Sequence, residues 1–192
     1  MPPTYSLVVP IFNEEAVIPI LLRRLDALLE SLDAPGEVIV VDDGSADTSA
    51  IVIEGKARAD RRYRLVKLSR NFGHQIAITA GLDHAVGRAV IVMDADLQDP
   101  PEVVHAMIAR WKEGCDVVCA ERASRGGESR FKRTTADLFC RLVGALGEAP
   151  IPRNSGDFRL IDRKALDSSS PCRSATGSCA ACSPGLGSAR EP

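Results

Sequence analysis

The sequence predicts an α/β fold, a mostly parallel sheet flanked by helices, and three observations predict it. Short Val/Ile/Leu-rich runs recur along the chain, segments of helical period separate them, and oxygen-bearing side chains gather just past the ends of the runs. Strands alternating with helices of this length form βαβ units. Near-continuous aliphatic runs suit strands covered on both faces.

The elements follow in order. SLVVP (6–10) is the first strand. Val17, Leu21, Leu25, Leu28 and Leu32 then recur every three or four residues and give a helix one apolar face. Pro35-Gly36 ends it. EVIVVDDGS (37–45) is a strand running into a turn, where Gly44 permits the tight bend and Ser45 is placed to cap the next helix. RLVKLS (64–69) is the third strand, HQIAITAGLDHA (74–85) a helix, and RAVIVMDAD (88–96) the fourth strand. Asp99 is expected to cap the following helix, with Pro100 at its first position and Glu102 as the capping-box partner. Val103, Val104, Met107, Ile108 and Trp111 mark that helix's buried face. CDVVCAER (115–122) is a fifth strand, residues 129–146 are expected to be helical, and DFRLIDRKAL (157–166) begins as a strand and turns helical.

Composition narrows the function. The chain has 192 residues, enough for one domain with a sizeable core. A net charge of -2 gives no global basic field for nucleic acid. The N-terminal apolar run has no preceding Lys or Arg, and no apolar run approaches the about 18 residues of a membrane helix. The expected location is therefore cytoplasmic. Cys115, Cys119 and Cys140 read as small core residues. Cys179 and Cys182 have the spacing of half a zinc site, but no second half follows.

In open sheets of this kind, ligands bind beyond the carboxyl ends of the strands. Asn13-Glu14, Asp42-Asp43 and Asp94/Asp96 are all expected on that edge. Asp94 and Asp96 stand at i and i+2, so in an extended segment they point the same way. Two close carboxylates repel unless a cation sits between them. With Gln98 they form a hard oxygen set suited to Mg²⁺ or Mn²⁺, and Mg²⁺ commonly joins one or two carboxylates to substrate phosphates. Capping and turn chemistry is the plain alternative, and Asp99 fits it. The Asp42-Asp43 turn reads equally as acidic decoration or as an acceptor for a base N–H or a ribose hydroxyl. No GxGxxG follows the first strand and no GxxxxGK[ST] occurs, which argues against a dinucleotide dehydrogenase and a P-loop NTPase. Phosphates must then be held by a metal and by cationic side chains. ERASRGGESRFKR (121–133) supplies Arg122, Arg125, Arg130, Lys132 and Arg133 after the fifth strand. It is either a solvated surface loop or an anion site.

With VVPIFNEE (8–15), VDDGSADTS (41–49), RNFGHQIAITAGLDHA (70–85), MDADLQDPPE (93–102) and NSGDFRLIDRKAL (154–166) in this order, the chain resembles the family 2 glycosyltransferases. The match is strongest to the branch that glycosylates polyprenyl or dolichyl phosphate. The resemblance implies the Rossmann-like GT-A fold of nucleotide-diphospho-sugar transferases over residues 1–167. It also implies a metal-dependent, inverting reaction at the cytoplasmic face of a membrane. Position by position, Pro10, Phe12, Asn13, Glu14 and Asp42 would line the nucleoside pocket, with Phe12 where the family more often has Tyr. Asp94 and Asp96 would be the acidic pair of the DxD motif and Gln98 would complete the site for Mg²⁺ or Mn²⁺. Arg122 and Arg133 would receive the acceptor phosphate. Asp157 would stand where this branch has its proposed base, so Asp157 and Asp96 are the implied catalytic residues. The implied partners are a nucleotide-diphospho-sugar, UDP-linked, and a polyprenyl phosphate. Competing readings are a glycosyltransferase with a soluble or polysaccharide acceptor, and a nucleotide-sugar-binding module without turnover. A response-regulator receiver fits less well, because its acidic pair should follow the first strand.

His74 is expected in a pocket wall or a structural role. Residues 168–192 contain seven Ser and only Leu186 as a large aliphatic, so they are expected to form a disordered tail to a truncated catalytic domain.

Overall fold

The computed structural model describes residues 2–98, 100–121 and 155–168. The strands are β1 (Tyr5–Ile11), β2 (Gly36–Asp42), β3 (Tyr63–Lys67), β4 (Ala89–Val92), β5 (Val117–Glu121) and β6 (Ser155–Asp162). The helices are α1 (Ile18–Ser31), α2 (Ser49–Ala59), α3 (His74–His84) and α4 (Val103–Lys112). Residues 163–168 continue β6 as a helical turn. The expected helix at 129–146, Arg122, Arg133, Cys140 and the tail from 169 onward lie outside the described residues, as does Asp99.

The sheet order is β3-β2-β1-β4-β6-β5. β3, β2, β1 and β4 pair in parallel, while β6 pairs antiparallel with both β4 and β5. Period-two alternation divides β1 between two cores. Leu7, Val9 and Ile11 pack with Leu21 and Leu25 of α1, Ile53 of α2 and Met107 of α4. Val8 packs on the other side with Ala77, Ile78 and Leu82 of α3 and with Leu166. Both faces are thus covered, as the aliphatic runs predict. Each fully buried Leu or Ile contributes roughly 1.5–3 kcal/mol.

Gly81 explains how α3 reaches the sheet. A Cβ there would stand 2.3 Å from Val8 Cγ1, so only glycine allows this approach. On the opposite face Trp111 is half-buried against the core, as expected of its helix. Its Nε1–H donates to Asp162 at 2.7 Å, and its ring meets Tyr5 edge-on.

Four expectations need correction. α4 begins at Val103 rather than at Pro100, and Glu102 is at its N-cap position with no cap bond from its own side chain. The carbonyls of Pro100 and Pro101 accept the Val103 and Val104 N–H groups. Ser45 does not cap α2, which starts at Ser49 after Thr48. Cys119 is exposed and Cys115 half-buried, because β5 is the last strand of the described sheet. The strand containing Asp94 ends earlier than expected, at Val92.

Candidate functional site

Register places one edge. Ile11 pairs with Asp42 and Asp42 with Lys67, while Val8 pairs with Val92. The loops leaving β1, β2, β3 and β4 therefore emerge together. They enclose a cavity of about 380 Å³. β1 and its loop supply Pro10, Ile11, Phe12 and Glu14. The loop after β2 supplies Asp43, the segment entering α3 supplies Asn71, Gly73, His74 and Ala77, and the segment after β4 supplies Asp94, Ala95 and Asp96.

Asp94 and Asp96 reach this cavity by a route the sequence did not reveal. Past Val92 the chain makes one more ladder bond, Met93 N–H to the Val8 carbonyl at 3.0 Å, and then turns. The two carboxylates share the cavity from a turn, with Ala95 buried between them. Leu97 takes φ +59°, a left-handed value rare for a bulky residue. Asp96 Oδ1 accepts the Gln98 N–H at 3.0 Å and brackets it. Backbone strain of this kind costs about 1–3 kcal/mol and clusters at functional sites. His74 Nε2 stands 3.4 Å from Asp94 Oδ1, so His74 is in the wall as expected.

Of the other sequence candidates, Pro10, Phe12 and Glu14 line the cavity, and Phe12 keeps 44% of its surface exposed. Asp42 is the last residue of β2 and fully buried, outside the lining; its Oδ1 accepts the Ser45 N–H at 3.0 Å. Asn13 and Gln98 are exposed and also outside the lining. Asp157 is described by its backbone alone. Arg159 of β6 lies opposite Val92, so residue 157 is two positions nearer the site edge.

Asn71, Gly73 and Ala77 are wall residues that sequence reasoning did not single out, and Asp43, expected on this edge beside Asp42, is in the wall with them. Asp43 ties two loops together: its Oδ1 accepts Phe72 N–H at 2.8 Å and its Oδ2 accepts Gly73 N–H at 2.9 Å. Gly73, at φ +100°, is the N-cap residue of α3 and has no side chain to do this itself. The legible signal was the second acid of DDGS together with a glycine directly before a helix. Ser45 Oγ accepts the Asn13 N–H at 2.9 Å, which is the role it takes in place of a cap. The Ser49 hydroxyl holds the Asp47 carboxyl below its ordinary range, aided by the Ser49 and Glu15 backbone amides.

A family model described as Glycosyl transferase family 2 matches residues 6–169. The chain belongs to glycosyltransferase family 2. Glycosyltransferase YkcC of Bacillus subtilis is 48% identical over 85% of this chain and 50% of its own length. A prophage bactoprenol glucosyl transferase homolog of Escherichia coli is 41% identical over 84% of this chain and 53% of its own. The chain thus spans about half the length of the curated relatives it matches. Glucosyl-3-phosphoglycerate synthase of Mycobacterium tuberculosis, solved with Mn²⁺, UDP-glucose and phosphoglyceric acid, superimposes with a TM-score of 0.58. It is 26% identical over 84% of this chain and 57% of its own. A mannosyltransferase of Pyrobaculum calidifontis, solved with GDP-mannose and Mn²⁺, gives 0.58 at 22% identity, covering 88% and 47%. The fold is the GT-A fold, as the family resemblance implied.

The electrostatics of this family 2 site bear on a metal. Glu14, Asp43, Asp94 and Asp96 put four carboxylates on the cavity, and no Lys or Arg is among the described residues lining it. Asp43 is offset by its two amide donors. The others would repel a diphosphate. Among the described residues no cluster of three or more His, Cys, Asp or Glu forms a complete metal cage. Two carboxylates open to a cavity fit the Mg²⁺ habit of leaving positions for waters and substrate phosphates. The donor set therefore fits Mg²⁺ or Mn²⁺ shared with a ligand. Among the described residues no helix is long and apolar enough to cross a membrane.

Proposed function

We propose that this domain transfers a sugar from a UDP-linked nucleotide-diphospho-sugar to a polyprenyl phosphate, with inversion at the sugar carbon. One observation carries the donor half: Asp94 and Asp96 share a carboxylate-rich cavity with Pro10, Phe12 and Glu14, beyond the C-terminal ends of the parallel strands. Such a cavity attracts a diphosphate only together with a divalent cation. Relatives named bactoprenol glucosyl transferase and undecaprenyl-phosphate 4-deoxy-4-formamido-L-arabinose transferase support the acceptor half.

Asp94 and Asp96, with Gln98 completing the set, would hold Mg²⁺ or Mn²⁺, which supplies Lewis-acid stabilisation of the leaving diphosphate. Phe12 offers an exposed ring for the base, and Pro10 and Glu14 shape the rest of the nucleoside wall. An acceptor phosphate oxygen attacks the sugar carbon from the face opposite the leaving group. A phosphate monoester has its second pKa near 6, so at neutral pH it is already largely ionised. Asp157 accordingly orients the acceptor more than it removes a proton. Arg122 and Arg133 are the proposed cations for the acceptor phosphate, each contact being worth about 1.5–3 kcal/mol.

Titration calorimetry of UDP with and without Mn²⁺ tests the donor half. Metal-independent binding, or none, would overturn it. Turnover of UDP-glucose with a short-chain polyprenyl phosphate tests the acceptor half. Arg133→Ala should impair use of that acceptor and leave UDP affinity unchanged. Transfer to a soluble sugar with no preference for the lipid phosphate would overturn the acceptor assignment.

A further inference from the structure

The loops after β1 and β2 are joined by a reciprocal set of hydrogen bonds, and Asn13 is at its centre. Its backbone N–H donates to Ser45 Oγ at 2.9 Å, and its side-chain Oδ1 accepts the Ala46 N–H at 2.9 Å. One residue thus fastens the two loops in both directions. Two residues on, the fastening repeats with the same logic. Glu15 Oε2 accepts from the Thr48 hydroxyl at 2.9 Å and the Thr48 N–H at 3.2 Å, while the Glu15 N–H donates to Asp47 Oδ2 at 3.2 Å. Between them, the Glu14 N–H donates to Ser49 Oγ at 2.9 Å.

The backbone at Asn13 is part of the device. Its φ of +54° is left-handed, a conformation that Asn and Asp tolerate better than other residues with a Cβ. That twist separates two neighbours that face the cavity, Phe12 and Glu14, from a residue that does not.

We infer that Asn13 is a positioning residue: it locks the β1–α1 loop onto the β2–α2 loop and thereby sets Phe12 and Glu14 in the nucleotide wall. It acts through its neighbours and does not touch the nucleotide. The lock rests on the proposed donor site for its functional consequence, but its hydrogen bonds are testable without any ligand.

The test uses the whole chain and three single variants. Asn13→Gly keeps the left-handed backbone and loses the side-chain acceptor. Asn13→Asp keeps both. Ser45→Ala removes the acceptor for the Asn13 N–H and leaves Asn13 in place. Loss of a hydrogen bond that holds a binding wall is expected to weaken UDP–Mn²⁺ affinity by about tenfold. Asn13→Gly and Ser45→Ala should each show this loss, Asn13→Asp should bind like the parent, and the double variant Asn13→Gly/Ser45→Ala should lose less than the sum. A role confined to stability would lower the melting temperature and leave affinity of the folded protein unchanged, which would overturn the proposal. A direct contact with nucleotide would make Asn13→Gly weak and Ser45→Ala normal, which would overturn it too. Hydrogen exchange separates the lock from the function. The Ala46 amide should be protected in the parent and exchange faster in Asn13→Gly. Equal protection would overturn the lock itself. Absence of nucleotide binding by the parent, with the protection difference intact, would overturn the donor site alone.

Discussion

Asp96 is the side chain that tests the proposed donor chemistry most directly, because it is exposed to the cavity while its Oδ1 also accepts the Gln98 N–H. Asp96→Asn keeps that acceptor and removes the charge. The fold should therefore survive and Mn²⁺-dependent UDP binding should fall. Two unit charges at about 4 Å interact by roughly 4 kcal/mol at an effective dielectric of 20, an upper scale for the loss. Calorimetry that gives equal metal-dependent affinity in variant and parent would refute the ligand role. Gly44 is a second single-residue test. It has φ +74°, and an added Cβ would stand 2.4 Å from the Arg70 carbonyl carbon. The obstruction is backbone, so no side-chain rotation relieves it. Gly44→Ala should cost roughly 2 kcal/mol or more, combining left-handed strain with the displaced 70–71 segment. A urea midpoint equal to the parent's would contradict this.

Among the elements, the corner joining α2 to β3 carries a pH signature. Asp60 accepts from Arg62 Nε and Nη2, and this pairing lowers its carboxyl from the usual range to about 2. The folded state therefore gains stability above about pH 4. That gain is lost as pH falls through the interval down to about 2. The Arg62 side chain is 39% exposed, so solvent screening reduces the contribution to the order of 1 kcal/mol. Asp60→Asn should flatten the stability profile between pH 4 and 2 and leave it otherwise parallel to the parent; an unchanged acid slope in urea unfolding would refute the assignment. Behind the same corner Tyr63 is pushed well above its ordinary range, first by burial and then by its hydrogen bond to Asp26. α3 gives a packing test. Gly81→Ala should force the helix off Val8 and cost about 1–3 kcal/mol, seen as a lower melting temperature.

At the scale of the molecule, β6 is the tie. It is the only described strand that runs against the others, and it lies between β4 and β5. Phe158 on β6 is 1% exposed and packs in the core shared by α1, α2 and α4. Phe158→Ala should cost about 3–5 kcal/mol. Hydrogen exchange should then show β5 losing protection before β1 and β2. Simultaneous loss in all strands would argue against β6 as the link.

The alternation of strands and helices, the parallel core and the acidic edge were legible in the sequence, because burial on both faces imposes aliphatic runs and the chain direction puts loop residues at the strands' carboxyl ends. So were Glu14, Asp94 and Asp96 as neighbours on one edge, since each follows shortly on such a run, whereas Pro10 and Phe12 were placed there by the family resemblance. Local pattern could not decide where β4 stops, because Met93 and Ala95 are as apolar as the strand before them. Nor could it tell Asp42 from Asp43: adjacent residues on a strand face opposite ways, and only the third loop, reaching Asp43 through Phe72 and Gly73, distinguishes them. The place of β6 was equally hidden. A strand's neighbours are chosen by pairing between segments far apart in sequence, and periodicity within one segment carries no record of that partner.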